Sequence, residues 1–177
     1  HAGKSKWKNY SMLNKKSIGI EISNQGHGLK YTKFKENQIK SIINLSKYLK
    51  KKYKIKSNYF LGHSDIAPDR KVDPGEKFPW KILSKEKIGI WHNLKVHKLF
   101  SLRLKKLTNN EIIFFNKSLN KLGYMKLSQI IKNRTIYQKK LYKVFQMRFR
   151  PELVNGIIDK ECLAIQKKLL VLCKKNS

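Results

Sequence analysis

The stretch from His63 to Trp80 constrains the fold more than any other part of the chain. It contains four turn-forming residues, Pro68, Pro74, Gly75 and Pro79. Because proline fixes φ and has no N–H donor, no continuous helix or strand can run through this stretch. The sequence therefore predicts a loop whose shape is set by turns.

This loop is dense in groups that titrate or bind metals. They are His63, Asp65, Asp69, Arg70, Lys71 and Asp73. An apolar run before them predicts a strand from Ser57 to Gly62, which would deliver His63 at its end. Such a loop at the end of a strand is typical of a catalytic or binding site. The alternative is a solvated turn in which the aspartates only cap the backbone.

A second stretch, Ser17 to Ser23, alternates between aliphatic and polar or small residues. Ile18, Ile20 and Ile22 share one face, which predicts a strand with that face in the core. Glu21 then points from the opposite face, towards whatever space that face lines. The alternative for Glu21 is a solvent-facing strand residue.

Helical periodicity organises much of the remaining chain. Apolar residues from Phe34 to about Tyr53 recur at helical spacing and predict a helix that lies on the sheet. A short helix is expected from Trp80 to Lys87, and a linker between Gly89 and Arg103. We therefore expect an α/β domain at residues 1–92 and a linker at residues 93–105.

The last part of the chain, residues 106–175, predicts a small all-helical domain. Thr108 and Glu111 form a capping box, and Gly123 supplies the stop of the helix that follows. Further helices are expected at Leu127–Ile131 and Arg134–Phe149. A last helix is expected after a cap at Asp159.

Three segments in order identify a family. The loop at 63–80 resembles the second metal-binding segment of the zinc-dependent N-acetylmuramoyl-L-alanine amidases of the AmpD/AmiD type, the amidase-2 group, which is related to peptidoglycan recognition proteins. Residues 1–7 are similar to its H-A-G-x-S-x-W segment, and residues 13–22 to its L-N-x-x-S-I-G-I-E strand. The AmiD branch is the most similar, over nearly the whole chain. The resemblance implies an α/β fold with a mixed central sheet flanked by helices, followed by a peptidoglycan-binding-like helical domain.

The resemblance also implies a reaction and its residues. The reaction is hydrolysis of the amide between N-acetylmuramic acid and L-alanine in peptidoglycan or muropeptides, with Zn²⁺ as cofactor. By resemblance His63 and Asp73 are metal ligands and Glu21 is the catalytic acid–base group. Lys71 matches the cation that stabilises the oxyanion.

Four further residues are expected to bind substrate. They are His1, Trp7, Arg70 and Trp80. For the two tryptophans the alternative is packing, and Arg70 is expected, like Asp65, to brace the loop. His1 matches a cleft-lining residue, although a role as zinc ligand is the alternative.

The family's remaining ligand is a histidine upstream of the H-A-G segment, a position that this sequence does not contain. We therefore expect a chain truncated at its N-terminus. The alternative function is an inactive peptidoglycan-binding module.

The formal charge of +30 raises a third function class, nucleic-acid binding. Only five of the 41 basic residues are arginines, and the lysines are spread evenly along the chain, so a compositional bias explains the charge without a partner. We expect a monomer that binds peptidoglycan or muropeptides and no nucleic acid, with no transmembrane segment in this sequence. The resemblance places it in the periplasm or at the outer membrane.

Overall fold

The fold is given by a computed structural model that describes residues 3–27, 31–125 and 134–175. Its helices are α1 (Glu36–Lys52), α2 (His63–Ile66), α3 (Trp80–Lys85), α4 (Val96–Phe100), α5 (Asn109–Leu122), α6 (Arg134–Phe149) and α7 (Lys160–Lys175). Single 3-10 turns occur at Leu13–Lys15 and Ser57–Tyr59. No helix in these ranges is long and apolar enough to cross a membrane. The short helix expected at Leu127–Ile131 lies outside the described residues.

The sheet is much smaller than the sequence predicted. Strands β1 (Lys6–Trp7) and β2 (Tyr10–Ser11) pair antiparallel, with Lys6 opposite Ser11 and Trp7 opposite Tyr10. Within the described ranges this hairpin is the only sheet. The mixed central sheet flanked by helices therefore stays a prediction. The strand predicted at Ser57–Gly62 is wrong, because a 3-10 turn occupies its first half.

The strand predicted at Ser17–Ser23 is likewise not formed. A strand needs a neighbouring strand for its backbone hydrogen bonds, whereas the Ser23 carbonyl accepts one from the Gln38 side chain at 2.8 Å. Ile18 and Ile20 are 51% and 39% exposed, so the aliphatic face is not in a core. Only Ile22 packs, against a small cluster built around α1 and α3.

Helix α1 confirms the helix predicted from Phe34 to Tyr53. The Gln38 amide oxygen accepts from the Lys35 N–H at 2.9 Å and so satisfies a backbone donor at the helix start. Ile42 is buried, but Leu45 and Tyr53, expected on the same apolar face, are exposed. The cluster that α1 joins consists of Phe34, Ile42, Phe78, Trp80, Leu83 and Ile88.

The helices near the C-terminus agree closely with the sequence. The capping box is present before α5, where Glu111 N–H donates to Thr108 at 3.3 Å and Thr108 N–H to Glu111 at 2.8 Å. Gly123 ends α5 at φ +133°, a conformation that favours glycine. Asp159 accepts from Cys162 N–H at 2.9 Å and caps α7. Helices α5, α6 and α7 bury one apolar cluster between them.

That cluster also includes the N-terminal hairpin. Trp7 packs edge-on against Tyr124 with ring centroids 4.9 Å apart, and the Lys8 N–H donates to the Gly123 carbonyl at 2.7 Å. Trp7 and Leu13 are buried in the same core as α5, α6 and α7. One core therefore joins both sides of the predicted domain boundary, and the division into residues 1–92 and 106–175 stays a prediction.

The expected linker at residues 93–105 is packed rather than free. It contains α4, whose Leu99 is buried. Arg103 donates two hydrogen bonds to Glu161, at 2.7 and 2.8 Å, and the Leu104 N–H donates to Asp159 at 3.0 Å. The end of the predicted linker is therefore attached to the start of α7.

Candidate active site

His63 and Asp73 lie side by side. His63 is the first residue of α2, and its Nδ1 is 3.0 Å from Oδ2 of Asp73. The His63 side chain is 22% exposed and that of Asp73 is 57% exposed, so the pair opens towards solvent. Two predicted ligands, ten positions apart in sequence, are thus brought together.

Backbone hydrogen bonds hold this loop in a doubled-back shape. The Ser64 N–H donates to the Asp73 carbonyl at 2.9 Å, which fixes the start of α2 beside Asp73. The N–H groups of Arg70 and Lys71 both donate to the Ala67 carbonyl, at 3.2 and 3.0 Å. The prolines and these turns together explain why the predicted loop has one defined path.

The turn after Asp73 is held by a tyrosine from a distant loop. The Tyr31 hydroxyl donates to the Pro74 carbonyl at 2.7 Å and accepts from the Lys77 N–H at 3.0 Å. Gly75, at φ +80°, makes the approach possible, since a Cβ there would come within 2.6 Å of the Tyr31 hydroxyl. Asp73 is therefore supported from both sides of the loop.

The His63–Asp73 pair fits two positions of a metal site. Donors about 2.0–2.2 Å from a tetrahedral zinc lie roughly 3.4 Å apart, so a separation of 3.0 Å needs only a small adjustment. Nε2 of His63 is buried and has no hydrogen-bond partner among the described residues, whereas Nδ1 faces the exposed carboxylate, so the open side is at Nδ1. Residues 3–27, 31–125 and 134–175 contain no group of three possible metal ligands.

Asp65 braces the loop from inside, as the sequence predicted. Its carboxylate is 2% exposed and accepts from the Gly62 N–H at 2.7 Å and the Tyr124 hydroxyl at 2.8 Å. It also forms an ion pair with Arg148 of α6. Burial, followed by the charge of Asp65, raises the pKa of Tyr124 well above its usual value, so its hydroxyl stays a donor.

Arg148 is the residue that sequence reasoning missed. It lies near the end of α6 and is 4% exposed. Its guanidinium lies over the Trp80 ring at 4.0 Å and donates to the Phe60 carbonyl at 2.8 Å. The available signal was an arginine inside an apolar helix face, which requires a buried acid as partner. The partner, Asp65, lies 83 positions away.

Arg70 links the loop to the N-terminal segment. Its guanidinium donates to the Lys4 carbonyl at 2.6 Å. Gly3 has φ +57°, and a Cβ there would lie 3.2 Å from Arg70. The bracing role predicted for Arg70 is therefore present, and the segment similar to H-A-G-x-S-x-W lies against the loop. Its first residue, His1, falls outside the described residues.

The comparisons with known proteins agree with this geometry. Residues 1–76 match the family described as N-acetylmuramoyl-L-alanine amidase. The chain is 36% identical to AmiD of Escherichia coli K12 over 175 residues, 96% of this chain and 62% of AmiD. It superposes with a TM-score of 0.81 and 34% identity on E. coli AmiD solved with anhydro-N-acetylmuramic acid-L-Ala-D-gamma-Glu-L-Lys, covering 97% of this chain and 68% of that one. The chain belongs to this amidase family.

Two further relatives are similar over different extents. AmpD of Enterobacter cloacae is 36% identical over 80 residues, 45% of this chain and 41% of AmpD. AmpDh3 from Pseudomonas aeruginosa, in complex with anhydromuramic pentapeptide, gives a TM-score of 0.79 at 30% identity, covering 100% of this chain and 69% of that one. The chain thus spans 62% of AmiD and 41% of AmpD.

The two residues expected to do chemistry occupy different settings. Lys71 is half-buried on the loop, two residues before Asp73. Glu21 is exposed on the extended segment at 17–23. Within the ranges that the structure describes, no hydrogen bond or ion pair joins Glu21 to His63 or Asp73. The roles of Glu21 and Lys71 stay predictions.

Both tryptophans expected to bind substrate are core residues. Trp7 is 5% exposed and Trp80 is 6% exposed. Each packs in one of the two apolar clusters, and substrate binding by either tryptophan stays a prediction.

The remaining described histidines lie in other settings. His92 lies in the loop between α3 and α4, where it is buried and donates from Nε2 to the Phe149 carbonyl at 3.0 Å. His27 pairs with Glu76 at 2.8 Å on the surface, and His97 is exposed.

Proposed function

We propose that this protein hydrolyses the amide bond between N-acetylmuramic acid and L-alanine in peptidoglycan or muropeptides, as a zinc metallohydrolase acting on a linear amide. Family membership supports the reaction, as does the similarity to AmiD solved with its muropeptide substrate. The observation in this chain that carries the proposal is the His63–Asp73 pair, with Nδ1 and Oδ2 3.0 Å apart on a braced, solvent-open loop.

His63 Nδ1 and Asp73 Oδ2 would hold the zinc, together with a donor outside the described residues. Zinc bound there supplies Lewis-acid chemistry to the scissile carbonyl. Glu21 removes the proton of the attacking water and returns it to the leaving amine nitrogen. The Lys71 ammonium stabilises the negative charge that develops on the carbonyl oxygen.

The proposal extends to place and substrate. On its resemblance to AmiD-type amidases, we propose that the protein lies in the periplasm or at the outer membrane. The helical residues 106–175 are proposed to bind the wall polymer. The apolar faces of α5, α6 and α7 are largely used in the core, so polymer binding would fall to their exposed polar faces.

A second candidate function is an inactive peptidoglycan-binding module. It is favoured by one observation, the presence of only two candidate donors in a cluster within the described residues. Catalytic zinc sites generally use three protein ligands and keep one position open.

The test is zinc affinity and muropeptide cleavage measured together for four variants. His63→Ala and Asp73→Ala should weaken zinc binding by more than the roughly 10–100-fold that loss of an outer-shell partner costs, and should abolish cleavage. His97→Ala and Asp69→Ala, which remove exposed side chains of the same types, should change neither. Unchanged zinc affinity in both site variants would overturn the assignment, and zinc binding without any cleavage would favour the binding module.

A further inference from the structure

Helix α2, which carries His63, cannot hold its own geometry. It contains four residues, and isolated helices much shorter than about twelve residues are not stable in water. The position of the His63 side chain must therefore come from contacts with other elements.

Those contacts converge on Asp65. Its carboxylate accepts from the Gly62 N–H, immediately before His63, and so closes the turn that contains His63. The same carboxylate is held by Tyr124, which directly follows the end of α5, and by Arg148 near the end of α6. The two partners lie 59 and 83 positions away.

Arg148 also controls the chain that leads into His63. Its second guanidinium nitrogen donates to the Phe60 carbonyl at 2.8 Å, so one side chain is bonded on both sides of His63. Gly62 in turn lies against Pro74, since a Cβ on Gly62 would be 2.7 Å from Pro74 Cδ. A shift of residues 60–65 would therefore also move the backbone next to Asp73.

We propose that Arg148 and Tyr124 are positioning residues for the His63–Asp73 pair and act through Asp65. The inference rests on the proposed function, because the spacing of His63 and Asp73 affects activity only if a metal or substrate binds between them. Neither residue touches that site. Each fixes where His63 is held, and errors of about 1 Å at such a site can cost roughly 10²-fold in rate.

Arg150 provides a matched control on the same part of the chain. It is 1% exposed and binds Asp159 at 2.7 Å and Glu161 at 3.4 Å. Like Arg148, it is a buried arginine that compensates buried carboxylates. Its partners belong to the start of α7, however, and not to the His63 loop.

The experiment compares Arg148→Lys with Arg150→Lys in the otherwise unchanged protein. Both should lower the melting temperature, because each weakens a buried ion pair. Only Arg148→Lys should speed hydrogen exchange of the Ser64 amide, which donates to the Asp73 carbonyl, and only it should weaken zinc binding, by about 10–100-fold. Equal exchange and equal zinc affinity in the two variants would overturn the proposal.

Tyr124→Phe keeps the test decisive if Arg148→Lys does not fold. It removes one hydroxyl and leaves the ring that packs on Trp7. We expect faster Ser64 exchange and weaker zinc binding, and unchanged values of both would count against the positioning role. Hydrogen exchange of the Ser64 amide is measured without metal. If the parent protein binds no zinc, the proposed function is wrong, but the exchange measurement still tests the positioning role.

Discussion

The loop at 63–80 and the segment at 17–23 both carry residues expected to do chemistry, but they are held very differently. Asp65 of the loop is buried and accepts hydrogen bonds from the turn itself, from Tyr124 and from α6. The segment is exposed at Ile18, Ile20 and Glu21. A sequence motif predicts the chemistry of both stretches, whereas contacts with distant elements decide which one is fixed in place.

The largest effect that tests this comparison is expected at Glu21. Glu21→Gln should leave zinc binding unchanged and lower turnover by about 10²–10⁴-fold, the usual contribution of a positioned acid–base group. Zinc content and muropeptide cleavage measured on one preparation separate the two properties. Glu36→Gln, at an exposed acid in the first turn of α1, is the control. Full activity of Glu21→Gln would mean that the exposed segment carries no catalytic group.

Lys71 tests the other stretch of the comparison, the braced loop at 63–80. Lys71→Ala should lower turnover by about 10²–10³-fold, as loss of one oxyanion stabiliser does, and should not change the melting temperature measurably. Lys81→Ala, on the exposed face of α3, should leave turnover as it is. If both variants cleave muropeptide at the parent rate, another group stabilises the oxyanion.

The same contrast explains which parts of the fold could be predicted. The bounds of α6 follow from the sequence because helical periodicity is local, and the start of α5 follows from the Thr108–Glu111 box for the same reason. Strand pairing depends on partners that are remote in sequence, so the alternation at Ser17–Ser23 predicted a strand that these residues do not form. At the site, His63 and Asp73 could be paired from a motif. The Asp65–Arg148 ion pair could not, because no local pattern joins residues so far apart.

A third prediction concerns the end of α6 that supports the loop. His92 donates to the carbonyl of Phe149, the residue after Arg148. Burial lowers the pKa of His92 below its usual 6.5, the Phe149 hydrogen bond opposing this shift. Below pH 6.5 the unfolded chain then binds more protons than the folded one, so stability should fall as the pH is lowered from 6.5 towards the folded pKa.

Thermal melts across this range check the sign of the His92 effect. The melting temperature of His92→Gln should depend less steeply on pH between 6.5 and 5 than that of the parent, because the contribution of His92 is gone. His97→Gln removes an exposed histidine and should leave the slope as in the parent. A parent protein whose melting temperature rises on acidification through this range would contradict the prediction.

The smallest effect is expected at the aliphatic face of the segment at 17–23. Ile20 is 39% exposed and Ile42 of α1 is 8% exposed, so the same Ile→Ala change removes very different amounts of packing. Ile42→Ala should lower the free energy of unfolding by about 2–5 kcal/mol. Ile20→Ala should stay within about 0.5 kcal/mol of the parent, as surface changes usually do. Denaturant titrations of the parent and both variants, fitted with one common dependence of the free energy of unfolding on denaturant concentration, would measure the two losses. A cost of several kcal/mol at Ile20 would show that this face is packed in solution as the alternation predicted, and the contrast between the two stretches would then lie in their hydrogen bonding alone.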